Sequence, residues 1–146
     1  MKLLILNGPN LNMLGIREKH LYGAETYEDL KRYILEKAGE LNIDVELYQS
    51  NHEGDLVDKI QSAYGEKDGI VINPAAYTHT SVAILDALKA VNLPAAEVHL
   101  TDITKREAFR QISYAGMACQ AHFMGLGFAG YGKAMEWMKE HIEKAE

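Results

Sequence analysis

Short apolar runs alternate with segments of helical periodicity along almost the whole chain. Leu3–Leu6 reads as a first strand, Ile43–Tyr48 as a second, and Gly69–Ile72 as a third, continuous and β-branched as a strand buried on both faces should be. Ala95–His99 gives a fourth strand and Met117–Met124 a candidate fifth. Between them lie helical patterns. Over Thr26–Leu41, Leu30, Tyr33, Ile34, Ala38 and Leu41 recur on one face, behind a capping box at Thr26-Tyr27-Glu28-Asp29. Asp55–Tyr64 turns Leu56, Val57, Ile60 and Ala63 inward, and Thr80–Val91 does so with Ile84, Leu85, Leu88 and Val91. A capping box at Thr104-Lys105-Arg106-Glu107 opens a short helix through Arg110, and Tyr131–Ile142 closes the chain with Tyr131, Ala134, Met135, Met138 and Ile142 on one stripe. Strands alternating with helices predict an α/β fold: a flavodoxin-like, doubly wound, five-stranded parallel sheet with helices on both faces.

That fold concentrates chemistry at the carboxyl ends of the strands. Strand one runs into Asn7-Gly8-Pro9-Asn10-Leu11-Asn12-Met13-Leu14-Gly15, which carries three amide side chains in nine residues, and the segment continues to Arg17-Glu18 and Tyr22-Gly23. An arginine and a tyrosine on one glycine-bounded loop predict a lid bearing catalytic groups over residues 14–24. After strand three come Asn73-Pro74-Ala75-Ala76-Tyr77-Thr78-His79-Thr80-Ser81, and strand four ends in Glu97-Val98-His99-Leu100-Thr101-Asp102. The predicted rim therefore gathers amides, hydroxyls and two histidines, with Arg106 and Arg110 nearby.

Each has a plainer reading. Asn73-Pro74 can be turn chemistry, Thr78 or a neighbour can cap the third helix, and His99 can be a buried, hydrogen-bonded imidazole. A cation at a helix start is disfavoured, so His79 is expected neutral. Asp86 reads as solvated on its helix, Arg32 as facing water beside Glu28 or Glu36, and His20, His52, His122 and His141 have no comparable context. Zinc on Glu97, His99 and His79 is a rival, but the spacing matches no tight ligand pattern and there is no second cysteine. Mononucleotide binding lacks both glycine-rich phosphate motifs.

Bulk properties narrow the choice. The 146 residues predict one domain, and 47% hydrophobic with 25% charged residues excludes general disorder. A formal charge of -6 argues against nucleic-acid or anionic-membrane surfaces, although the four arginines can still make a local anion site. The lone Cys119 forbids an intrachain disulfide and reads as an inert core thiol, no run spans a membrane, and a cytoplasmic location is the expectation.

The chain resembles type II 3-dehydroquinate dehydratases along essentially its whole length. The resemblance rests on Asn7-Gly-Pro-Asn-Leu-Asn, Leu14-Gly15, Arg17-Glu18, Tyr22-Gly23, Gln49-Ser50-Asn51-His52-Glu53-Gly54, Asn73-Pro74-Ala75-Ala76 and Thr78-His79-Thr80-Ser81. It continues through Asp86-Ala87-Leu88, Glu97-Val98-His99, Arg106-Glu107, Phe109-Arg110, Ser113-Tyr114 and Gly125-Leu126-Gly127. It implies reversible dehydration of 3-dehydroquinate to 3-dehydroshikimate through an enolate, with no metal and no cofactor, in a dodecamer of four trimers. It implies Tyr22 as base, Arg17 as its lid partner, Asn10 as enolate stabiliser through a water, and His99, oriented by Glu97, as proton donor. It further implies substrate contacts from Asn73, His79, Arg110, Leu100 and Thr101, and from Asp86 across a subunit boundary. The alternative is a flavodoxin-like binding protein without the chemistry, which would have no need of a base paired with an arginine. Three positions depart from the pattern: Lys19 for a common proline, Asp102 for a common asparagine, and Ile112 for a polar residue. The Asp102 carboxylate would weaken binding of an acidic substrate unless it points away.

Overall fold

The computed structural model describes residues 1–16 and 24–145. Nine elements of regular structure follow one another among them. They are β1 (Lys2–Asn7), α1 (Tyr27–Leu41), β2 (Asp44–Gln49), α2 (Glu53–Ser62), β3 (Gly69–Asn73), α3 (Val82–Val91), β4 (Ala95–His99), β5 (Ala121–Met124) and α4 (Ala129–Ala145). The strands form one sheet in the order β2-β1-β3-β4-β5, and every pairing is parallel. This is the flavodoxin-like order, with its switch point between β1 and β3.

Strand alternation assigns the two faces. Leu3, Ile5, Val71, Ala96 and Val98 pack with Leu30 and Ile34 of α1 and Tyr131, Met135 and Met138 of α4. Leu4, Leu6, Ile70 and Ile72 point the other way, onto Leu56 and Ile60 of α2 and Ile84 and Leu88 of α3. Burying each such side chain contributes about 1.5–3 kcal/mol, so both faces drive folding.

The caps hold these helices in register. Thr26 Oγ1 accepts the Asp29 N–H at 3.2 Å while the Asp29 carboxylate accepts the Thr26 N–H at 2.9 Å, which is the reciprocal box expected from the sequence. The same Asp29 also takes Arg32, at 3.0 Å, in place of Glu28 or Glu36. On α3 the cap is Ser81, whose hydroxyl accepts the Ile84 N–H at 3.0 Å. Thr78 does not cap; its hydroxyl is buried and finds no hydrogen-bond partner among the described residues.

Two expected elements differ. The helix from Thr104 through Arg110 is instead two short 3-10 turns, Ile103–Lys105 and Ala108–Arg110, because Asp102 rather than Thr104 caps the first. Strand five begins at Ala121, not Met117, since residues 115–118 form another 3-10 turn that folds over β4. No described helix is long and apolar enough to cross a membrane.

Candidate active site

A cleft lies over the carboxyl ends of β1, β3 and β4, enclosing about 680 Å³ that includes some open solvent. Asn10 reaches it from β1, Asn73 and His79 from β3, and His99, Leu100 and Thr101 from β4. Arg106 and Arg110 line its side from the 3-10 turns beyond β4.

Close backbone approach shapes the β1 exit. A Cβ on Gly8 would run into the Pro74 carbonyl, so the Asn7-Gly8 and Asn73-Pro74 turns can touch only because residue 8 is glycine. Asn10 adopts φ 71°, a left-handed conformation asparagine tolerates better than most, and its N–H donates to Asn51 Oδ1 at 3.0 Å. Gln49 donates to the Gly8 carbonyl at 3.1 Å and pins the loop from β2.

The three asparagines of this loop divide their work, and Asn12 Oδ1 accepts Gln49 Nε2 at 3.4 Å. Only Asn10 lines the cleft. Asn7 is fully buried beneath it, where its Oδ1 accepts the Tyr131 hydroxyl at 2.6 Å. Asn73 Nδ2 donates to the same hydroxyl at 3.2 Å, and Asn73 Oδ1 accepts the Ala75 N–H at 3.1 Å. Tyr131 of α4 thus ties the ends of β1 and β3 together, and burial raises its own pKa. The hydrophobic stripe containing Tyr131 marked it as core; nothing in the pattern marked its hydroxyl.

Glu97 is the electrostatic centre of the β4 side. It is wholly buried, yet three donors meet it. His99 Nε2 lies 2.8 Å from Oε2, the Ser113 hydroxyl donates to the same oxygen, and His122 Nδ1 lies 2.8 Å from Oε1. Burial alone would push the carboxyl up; the hydrogen bond and charge of His99, with Ser113 and His122, outweigh it and hold the pKa at about 2. A carboxylate only accepts, so both imidazoles present N–H to it. Gly116 makes room: a Cβ there would stand 2.6 Å from Glu97 Oε1 and 2.7 Å from Ser113 Oγ. The chain passes over Glu97 at this point in the 3-10 turn Ala115–Ala118, where a residue with a side chain would not fit at 116.

His79 donates Nδ1–H to the Ile112 carbonyl at 2.8 Å, leaving Nε2 as the acceptor nitrogen. Burial, reinforced by the charge of Arg110 and opposed by the Ile112 bond, lowers its pKa, so it is neutral as expected, with desolvation as the main cause. Arg110 Nε donates to Glu107 at 3.2 Å, and Arg106 Nε stands 3.7 Å from the same carboxylate. Glu107 is therefore the brace between the two arginines and not the end of a capping box. Its own backbone N–H, with Arg110 and Arg106, holds its carboxyl below the usual range.

Arg17 and Tyr22 lie outside the described residues, as does Lys19. Asp86 is exposed on α3 and does not line this chain's cleft. Asp102 turns its carboxylate onto the Thr104 N–H at 3.0 Å and hydroxyl at 2.5 Å, committing Oδ1 to the turn. Burial pushes the Cys119 thiol up to about 12, helped by the Glu97 charge, which keeps it protonated and inert. Two participants escaped the sequence reading: His122, and Glu107 in its bracing role. The signal for His122 was available in principle, since His122 alternates with apolar Ala121 and Phe123 and so shares the Glu97 face once the strand register is known.

The sequence profile of the dehydroquinase class II family matches residues 1–139. A 3-dehydroquinate dehydratase of Caldicellulosiruptor bescii is 52% identical over 97% of this chain and 99% of its own. One from Clostridium acetobutylicum is 48% identical over 99% and 100%. Among solved structures, a type II dehydroquinase from Butyrivibrio crossotus superposes with a TM-score of 0.93 at 52% identity, covering 95% of this chain and 97% of that one.

Proposed function

The chain belongs to the class II dehydroquinase family, and on that footing we propose that it catalyses the reversible dehydration of 3-dehydroquinate to 3-dehydroshikimate. The observation that carries the reading is the pairing of buried Glu97 with His99 at the edge of a cleft that also holds Asn10, His79 and Arg110.

The substrate's leaving hydroxyl lies β to its ketone, so elimination is easiest after a proton beside the ketone has been removed. Tyr22 takes that proton. A phenol with a pKa of about 10 is a poor base at neutral pH, and the Arg17 guanidinium on the same segment favours its phenolate. The enolate charge needs fixed donors, which Asn10 supplies through a bound water. Loss of the hydroxyl completes the reaction. Glu97 holds His99 Nε2–H, which leaves Nδ1 to deliver the proton that converts the departing hydroxyl to water. The proton count closes: one proton leaves carbon for Tyr22, one leaves His99 for oxygen, and water departs.

Arg110, His79 and Asn73 hold the substrate's polar groups, and the backbone amides of Leu100 and Thr101 take its carboxylate. Arg106 and Arg110 make this cleft locally cationic in a chain of net charge -6, which suits an anionic substrate. Asp102, turned onto Thr104, presents Oδ1 to its own turn rather than to that carboxylate.

The working particle is a homododecamer of four trimers in the cytoplasm, in which Asp86 completes a neighbour's cleft. Exposed Val82 and Asp86, one turn apart on α3, and exposed Phe109, Ile112 and Met117 are the surface that supports this assembly. A binding protein without lyase activity is not favoured, because relatives about half identical over the full length are dehydratases by name.

The test mixes chelator-treated protein with 3-dehydroquinate and follows conjugated-enone absorbance. A rise that survives chelator and borohydride is expected; none from folded, assembled protein would overturn the reading.

A further inference from the structure

The proposed reaction uses one oxygen of Glu97, and the other is held by a residue it does not use. In the β4–β5 register Glu97 stands beside His122, so the two side chains leave the sheet on the same face as His99. His122 Nδ1 donates to Oε1 at 2.8 Å, while its side chain is 45% exposed. The buried carboxylate therefore has a buried imidazole on one oxygen and a water-accessible imidazole on the other.

Resting on the reading of His99 as proton donor, we propose that His122 is a positioning residue for it. By occupying Oε1, His122 holds the carboxylate in the orientation that aims Oε2 at His99.

The surroundings leave few competitors for this bond. From β4 the facing groups are Glu97 and, beyond it, His99. From the connector, Ser113 shares Oε2, Gly116 brings no side chain, and Cys119 stays protonated. Helix α4 packs against the opposite face of β5, where Ala121 and Phe123 point.

The test compares native protein with His122→Val, which removes the donor from a strand position that valine suits, and with His122→Asn, whose amide nitrogen stands close to where Nδ1 stood. Circular dichroism and thermal melts establish that each variant folds. With 3-dehydroquinate, His122→Val is expected to lose about tenfold in kcat with KM within about twofold, as deletion of a bond to a charged acceptor implies. His122→Asn is expected to recover kcat to within about threefold of native. By NMR, the His99 ring N–H proton held by Glu97 is expected to move in His122→Val and to return towards its native position in His122→Asn. A folded His122→Val with native kcat, or a His122→Asn no better than it, overturns the proposal, as does an unmoved His99 ring N–H resonance in His122→Val. Absence of turnover in the native protein would instead defeat the dehydratase reading, and that resonance would still decide the positioning role.

Discussion

Replacing Glu97 by glutamine should cost stability in a way that depends on pH. The carboxyl has an ordinary pKa of 4.5 and is held at about 2 in the folded chain. A folded-state pKa below the unfolded one means stability that is fully present above pH 4.5 and is lost as pH falls towards 2. A shift of this size corresponds to about 3 kcal/mol. Glutamine has nearly the same shape but carries no charge and places an NH₂ where the carboxylate accepted a bond, so one of the His99, Ser113 and His122 partners must either face a donor or give up its own donor role to accept. Urea unfolding of both proteins at one fixed concentration should therefore show a gap of about 3 kcal/mol at neutral pH. That gap should shrink steadily below pH 4.5. Every other carboxylate is common to both proteins, so the difference isolates this one. A gap that stayed constant down to pH 2.5, or that was missing at neutral pH, would refute the account of Glu97 as a charged, triply bonded hub.

Three further outcomes are expected. Tyr22→Phe should lower turnover by about 10³ while far-ultraviolet dichroism and sedimentation stay native; near-native turnover would remove Tyr22 as the base. Asp86→Ala, on an exposed face of α3, should reduce the assembly seen by sedimentation velocity or lower kcat/KM with an unchanged dichroism spectrum; no change in either would dismiss its cross-subunit role. Tyr131→Phe strips the donor from Asn7 and the acceptor from Asn73, and a urea titration should register a loss of about 2–3 kcal/mol. A loss below about 0.5 kcal/mol would show that the two amides find other partners.

What could be read in advance divides by the distance over which information acts. Strand and helix periods are local, and β4 and the Thr26 capping box were placed correctly from them. The helix expected from Thr104 through Arg110 does not form because Thr104 and Asp102 are both competent caps, and only the folded turn shows that Asp102 takes the role. Strand five is shorter than its apolar pattern predicts, because nothing in residues 117–120 announces that Gly116 passes against Glu97. On the site side, Glu97, His99, His79 and Arg110 are visible as strand-end or turn residues; His99, His79 and Arg110 meet around one cleft, and Glu97 lies buried behind His99. His122 was overlooked because its partner is set by β5 register, a non-local quantity, and Glu107 because a helix-start motif explained it too readily.

The Tyr131 hydroxyl has a consequence for the order in which the protein becomes competent during synthesis. It meets Asn7 across 124 positions of chain and Asn73 across 58. A ribosome releases the amino-terminal half first, so β1, β3 and their turns emerge long before the helix that joins them. Until α4 has left the exit tunnel and docked, the two amides beneath the cleft have no shared partner. The nascent chain is thus denied a finished floor to its cleft until Tyr131 and the helix that carries it have been made.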